Sequence, residues 1–148
     1  MDFKFRKVRD IQDVFVAGKK FEYLAEKQLS YKDLETLPVM CLEGNTSTRA
    51  YVEGFLRENG VHLQPEFELA TSDMLIRFAI RGFGIAGVAE DFALEAMEKG
   101  EIFRLHFDRE IPKRHFCIVT DEKVPMTAAA RRFLDLLEDK CTSDKNKT

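Results

Sequence analysis

Between Val39 and Gly100 three short apolar runs alternate with three amphipathic segments, and each segment ends on glycine. "PVMCLEG" precedes a stretch from about Thr48 to Asn59 in which Val52, Phe55 and Leu56 recur at helical spacing before Gly60. "PEFELAT" precedes a second helix that Thr71 or Ser72 caps, with Leu75, Phe78 and Ala79 turned inward through Arg81. "GFGIAGVAE" reads as a glycine-bounded buried strand and "EDFALEAMEKG" as the helix after it. A β–α–β–α–β–α order predicts a parallel sheet joined by right-handed crossovers, and it excludes most other architectures.

The flanks keep a different rhythm. "FKFRKVRDIQDVFVAGKK" gives two strand segments broken near Asp10 to Asp13, and "SYKD" at 30–33 is a capping-box variant before a short helical turn ending at Pro38. After Gly100, "IFRLHF" and "RHFCIVTDE" are strands in succession. The helix "TAAARRFLDLLED" and a polar, disorder-prone tail at 141–148 follow.

With 45% hydrophobic residues and 13 phenylalanines, 148 residues supply a substantial core for one domain or two small lobes. Lysine and arginine number 23 against 26 acids, so the net charge of -3 leaves no general excess with which to hold nucleic acid. Cys41, Cys117 and Cys141 are odd in number and lack CxxC spacing, which fits a reducing cytoplasm. The N-terminus has no signal-peptide pattern, and no uncharged stretch reaches the ~18–20 residues that span a bilayer. His62, His106 and His115 stand singly, so neither a metal site nor a cofactor is expected. "IRGFGIAG" closes a helix and enters a strand, the reverse of a dinucleotide fingerprint; Gly82 is expected to stop the helix and Gly84 to permit close packing. Glu90 and Asp91 most simply start a helix.

Parallel α/β units bind ligands outside the carboxyl ends of their strands, where helix N-termini leave backbone N–H groups unpaired. Asn45, Thr46, Ser47 and Thr48 follow the first strand of the alternation, and Thr71 and Ser72 follow the second. Two hydroxyl-lined turns are therefore expected on one edge, suited to a carboxylate or another small anion. Each helix needs a cap, so the ordinary reading of Thr71 and Ser72 is capping; four polar residues at 45–48 exceed what one cap requires. Arg49, Arg77 and Arg81 could each neutralise an acidic ligand, but on helices such residues are more often a solvated face.

In order along the chain, "SYKDLETLPVMCLEGNTSTRAYVEGFL", "TSDMLIRFAIRGFGIAGVAE", "MEKGEIFRLHF" and "MTAAARRFLDLLE" resemble the C-terminal effector-binding domain of LysR-type transcriptional regulators over about residues 13–138. The resemblance implies a type II periplasmic-binding-protein-like α/β fold in which an effector lies between two lobes. It places 1–38 in a partial first lobe and crossover strand, 39–113 in a complete second lobe, and 114–140 in a return strand and C-terminal helix. It assigns effector contacts to Asn45, Thr46, Ser47 and Thr48, with Thr71 bordering the site; Arg49, next in the chain, is the candidate anion partner. It further implies a non-enzymatic cytoplasmic sensor, a homo-oligomer, that meets DNA only through a winged helix-turn-helix absent from this sequence. A lobe lacking its first strands is expected to expose apolar surface. The chain departs from the family pattern at Ala89, where proline is common. A solute-binding protein of the same fold and a small α/β enzyme are the alternatives, the first opposed by the missing signal peptide and the second by the lack of an assembled triad.

Overall fold

The computed structural model describes residues 2–144. Along the chain run β1 (Phe3–Ile11), β2 (Asp13–Gly18), β3 (Gln28–Leu29), β4 (Val39–Leu42), α1 (Ser47–Glu58), β5 (Phe67–Leu69) and α2 (Ser72–Ile80). These are followed by β6 (Ile85–Ala89), α3 (Glu90–Glu98), β7 (Ile102–Arg104), β8 (His106–Phe107), β9 (Arg114–Asp121) and α4 (Ala128–Asp144). Short 3-10 turns occupy Lys19–Leu24 and Tyr31–Thr36. Two compact units form, Gln12–Pro112 and the pair of terminal segments Met1–Ile11 with Lys113–Thr148.

The larger unit holds a five-stranded sheet in the order β5-β4-β6-β2-β7. As expected, β4, β5 and β6 are mutually parallel, but β2 runs antiparallel to both its neighbours, β6 and β7. All six residues of β2 are buried, which is why its apolar run does not alternate. Successive side chains still point to opposite faces. Phe15 and Ala17 join Val39, Cys41, Ile85 and the α1 residues Val52 and Leu56 in one core. Val14 and Val16 join Met40, Ala86, Val88, the α2 residues Leu75 and Ala79, and Ala93 of α3 in the other. The unit is thus three layers, with α1 on one face and α2 and α3 on the opposite one.

Local chemistry accounts for the element ends. Gly82 has φ +77, the left-handed turn that ends α2. A Cβ on Gly84 would lie 2.5 Å from the Pro38 carbonyl oxygen, so only glycine lets β6 meet the start of β4. The Asp33 carboxylate accepts from the Ser30 backbone N–H at 2.9 Å, the reciprocal half of a capping box.

Residues 12–38 pack within the larger unit. The physical reason is that β2 is an inner strand of that unit's sheet, and Phe21, Leu24, Leu29, Tyr31 and Leu34 complete its α1-side core. In the smaller unit β1 and β9 pair antiparallel, with an irregularity between Lys7 and Arg9, and α4 lies beside β1, where Arg6 pairs with Glu138. α4 extends to Asp144, into the stretch expected to be a disordered tail; residues 145–148 lie outside the described residues. Among the described residues no helix is long and apolar enough to cross a membrane.

Candidate functional site

The chain leaves β4 for β5 on one side and returns to β6 on the other, so the order of strands reverses at the carboxyl ends of β4 and β6. A crevice at such a reversal is where open α/β sheets bind ligands. Because Leu42 pairs with Leu69 in parallel register, the turns after β4 and β5 leave from the same edge, and the Glu43 N–H donates to the Leu69 carbonyl at 3.0 Å. Thr46 and Thr71 are therefore brought to one rim, although their helices then diverge to opposite faces of the sheet.

Both threonines cap. Thr46 Oγ1 accepts from the Arg49 N–H at 3.2 Å and donates to the Glu43 carbonyl at 2.9 Å; Thr71 Oγ1 accepts from the Met74 N–H at 3.2 Å. Asn45 and Ser47 are exposed, and their side chains make no hydrogen bond within the described residues, which leaves both available to a guest. Thr48 is half-buried and, with Arg49, Cys41 and Gly87, lines a recess of about 10 Å³, room for about one water molecule.

Arg49 is 8% exposed and already engaged. Its Nη1 donates to Glu68 at 2.7 Å and to the Leu42 carbonyl at 3.0 Å, while Nε lies 3.3 Å from a Glu53 oxygen. Burial works against its charge, but the hydrogen bond it donates to Glu68 and the nearby acids outweigh it, so its pKa stands above the usual arginine value. Arg49 thus staples α1 to β4 and β5 and presents no open cation. Its partner Glu68 is 19 residues away in sequence, so spacing alone gave no hint of the pairing. Burial also pushes the Cys41 thiol up to about 11, which makes it a neutral wall residue.

Three helices start along this edge, and their first turns differ in charge. α2 carries Asp73 and α3 carries Glu90 and Asp91, whereas α1 has no acid there. An anion is accordingly favoured at α1 and opposed at the other two. No cluster of three or more His, Cys, Asp or Glu that could hold a metal ion occurs among the described residues.

A second opening, of about 220 Å³, lies where β7 ends and β2 begins. Its wall includes Asp13, Tyr31, Arg104, His106 and Arg109, none of which the sequence pattern marked as a site. The only advance signal was the alternation of Arg104 and His106 in "IFRLHF", and the other members are far apart in the chain.

The family profile described as LysR substrate binding domain matches residues 1–142. The chain belongs to that family. Its fold is accordingly that of a LysR effector-binding domain, type II periplasmic-binding-protein-like. Three solved structures are similar in fold. The Synechocystis PCC6803 CcmR regulatory domain in complex with 2-PG is 18% identical with a TM-score of 0.80, over 93% of this chain and 66% of that one. The effector binding domain of QuiR in complex with shikimate is 10% identical with a TM-score of 0.77, over 96% and 66%. HinK, a LysR family transcriptional regulator from Pseudomonas aeruginosa, is 15% identical with a TM-score of 0.74, over 95% and 49%. The chain therefore spans two thirds or less of each of these structures. No curated protein matches it significantly.

Proposed function

We propose that this LysR effector-binding domain senses a small anionic molecule at the α1 entrance. Asn45 and Ser47 supply side-chain donors, Thr46 and Thr48 frame the turn, and Thr71 borders it from the neighbouring strand. The observation that carries this reading is the absence of acid from the first turn of α1 beside acid-bearing α2 and α3. The complexes of CcmR with 2-PG and QuiR with shikimate support ligands of this size in this fold. Arg49 acts indirectly here, by fixing the turn rather than meeting the anion.

The role is regulatory and non-enzymatic: effector binding favours one arrangement of a cytoplasmic homo-oligomer, and DNA is met through a winged helix-turn-helix domain elsewhere in the protein. Such control requires that the effector bind two states unequally. The test is a ¹⁵N-amide titration of the chain with shikimate, 2-PG and inorganic phosphate. At least one should shift the amides of residues 45–48 saturably, and the double variant Asn45→Ala/Ser47→Ala should weaken it by about fivefold or more with unchanged stability. Silence of those amides toward all three anions defeats the proposal.

A further inference from the structure

The opening at the β2/β7 end of the sheet has an apolar side and a polar side. On the apolar side Tyr31 stacks on Phe107 with ring centroids 4.2 Å apart and planes 7° from parallel, and Phe15 meets Phe107 edge-on at 5.8 Å. Ile111 is buried beside them. The polar side is carried by residues 104–110, and its loop is fixed in place: the Tyr31 hydroxyl donates to the Arg109 carbonyl at 2.7 Å across 78 residues of sequence. Burial pushes this phenol up to about 12, so it stays a donor.

The charges on the polar side are not equivalent. Arg104 donates to Glu90 at 3.0 Å and to Glu110 at 2.7 Å, so its one positive charge is shared between two carboxylates and is not open to a guest. Arg109 is exposed, its guanidinium lies 5.6 Å over the Phe55 ring, and it pairs with no carboxylate among the described residues. The His106 side chain, exposed beside it, makes no hydrogen bond there either. Arg109 and His106, neither paired with a carboxylate, are thus among the lining residues of a pocket whose wall also holds Phe15, Tyr31 and Phe107. Asp13, 2% exposed, contributes a carboxylate to the same wall and disfavours a second acidic group on any guest. The volume of about 220 Å³ equals about seven waters at ~30 Å³ each, below the ~300 Å³ typical of larger ligands.

We propose that this pocket binds a small organic monocarboxylate with a flat apolar body, its carboxylate held by Arg109 and His106 and its body laid against Tyr31, Phe107 and Phe15. It is separate from the α1 entrance; the Phe15 ring borders both the pocket and the recess beside Thr48. The site could set which molecules the domain answers to, and it stands whether or not an anion binds at residues 45–48.

The test is a ¹⁵N-amide titration of the full chain with phenylacetate, with phenethylamine as the same body of opposite charge and inorganic phosphate as charge without body. Phenylacetate should shift the amides of Leu105, His106 and Phe107 saturably, and the other two should not. Arg109→Gln should weaken phenylacetate about tenfold and His106→Gln less, with Arg109→Lys intermediate. Asn45→Ala/Ser47→Ala should leave it unchanged. Arg109 is exposed, so retention of the dispersed amide spectrum in Arg109→Gln shows that the fold is intact. Equal binding of phenethylamine, saturation of the same amides by phosphate alone, an unweakened Arg109→Gln variant, or no saturable shift at residues 105–107 would each overturn the proposal.

Discussion

The two units use the same residue types in opposite ways. In the larger unit Phe15 is 1% exposed and every β2 residue is buried, whereas in the smaller unit Phe5 is 69% exposed and β1 is open along nearly all its length. Phe5 pairs directly with Val119 across the β1–β9 ribbon, so these two apolar side chains share a face, and Phe3 lies two residues along it. Both units pair their strands; only the larger one has helices on both faces of a sheet. Backbone pairing alone therefore does not bury a β-strand's side chains. A covering layer does, and in the smaller unit α4 lies beside β1 while Phe133 and Leu136 remain exposed.

The largest effect should separate Phe15 from Phe5. Phe15→Ala removes a ring that touches both core and pocket, and should cost about 3–5 kcal/mol of unfolding free energy. Phe5→Ala should cost about 0.5 kcal/mol or less, because its ring is already in water. Urea unfolding of both variants at two protein concentrations checks this. A Phe5→Ala loss that is comparable with Phe15→Ala, or that grows with protein concentration, would show that the ribbon face is covered in solution and would break the contrast.

The legibility of the sequence follows the same division. Helix ends between Val39 and Gly100 were readable because each depends on neighbours within about four residues: Thr71 or Ser72 as a cap, Gly82 as a stop, Leu56 and Leu75 as core; α1 was expected from about Thr48 and starts at Ser47, with Thr46 the cap among the four polar residues. What was not readable depends on distant partners. The antiparallel course of β2 is set by pairing with strands more than sixty residues away, and a fully buried strand shows no alternation from which to infer direction. The Arg49–Glu68 bond and the Tyr31–Arg109 tie are likewise invisible to spacing, so the bracing of Arg49 and the pocket beside β7 go unread.

A middle-sized effect sharpens the comparison within the larger unit. Thr46→Ala and Thr71→Ala each remove a side-chain acceptor from one backbone N–H, so each should lower stability by about 1 kcal/mol. Their effects on ligand should differ, because only the α1 turn lacks acid. Thr46→Ala should weaken the anion that shifts residues 45–48, and Thr71→Ala should leave it within about twofold. Thermal unfolding followed by circular dichroism, with the same amide titration, reads both quantities. Equal ligand losses in the two variants would mean that the rim binds through general helix-end charge and not through the α1 turn.

The smallest perturbation is chemical and leaves the sequence untouched. Cys41 is buried in the larger unit, and burial pushes its thiol up to about 11; Cys117 is exposed on the smaller unit's ribbon. At pH 8 a thiol with a pKa near 11 is ionised to about one part in a thousand, and it is also shielded from reagent. Iodoacetamide should therefore label Cys117 readily and Cys41 only after unfolding, as peptide mass spectrometry would read. The sign of the pH effect follows from the raised value: as pH climbs past the ordinary thiol range toward 11, unfolded chains lose the Cys41 proton first, so this thiol favours unfolding only at the alkaline end. Protection of Cys117 instead, relieved by dilution, would mean that the ribbon has found in another molecule the cover that its own helix does not provide. Fast labelling of Cys41 at neutral pH would mean that the α1 face opens on its own, and the contrast between a sealed unit and an open one would fail.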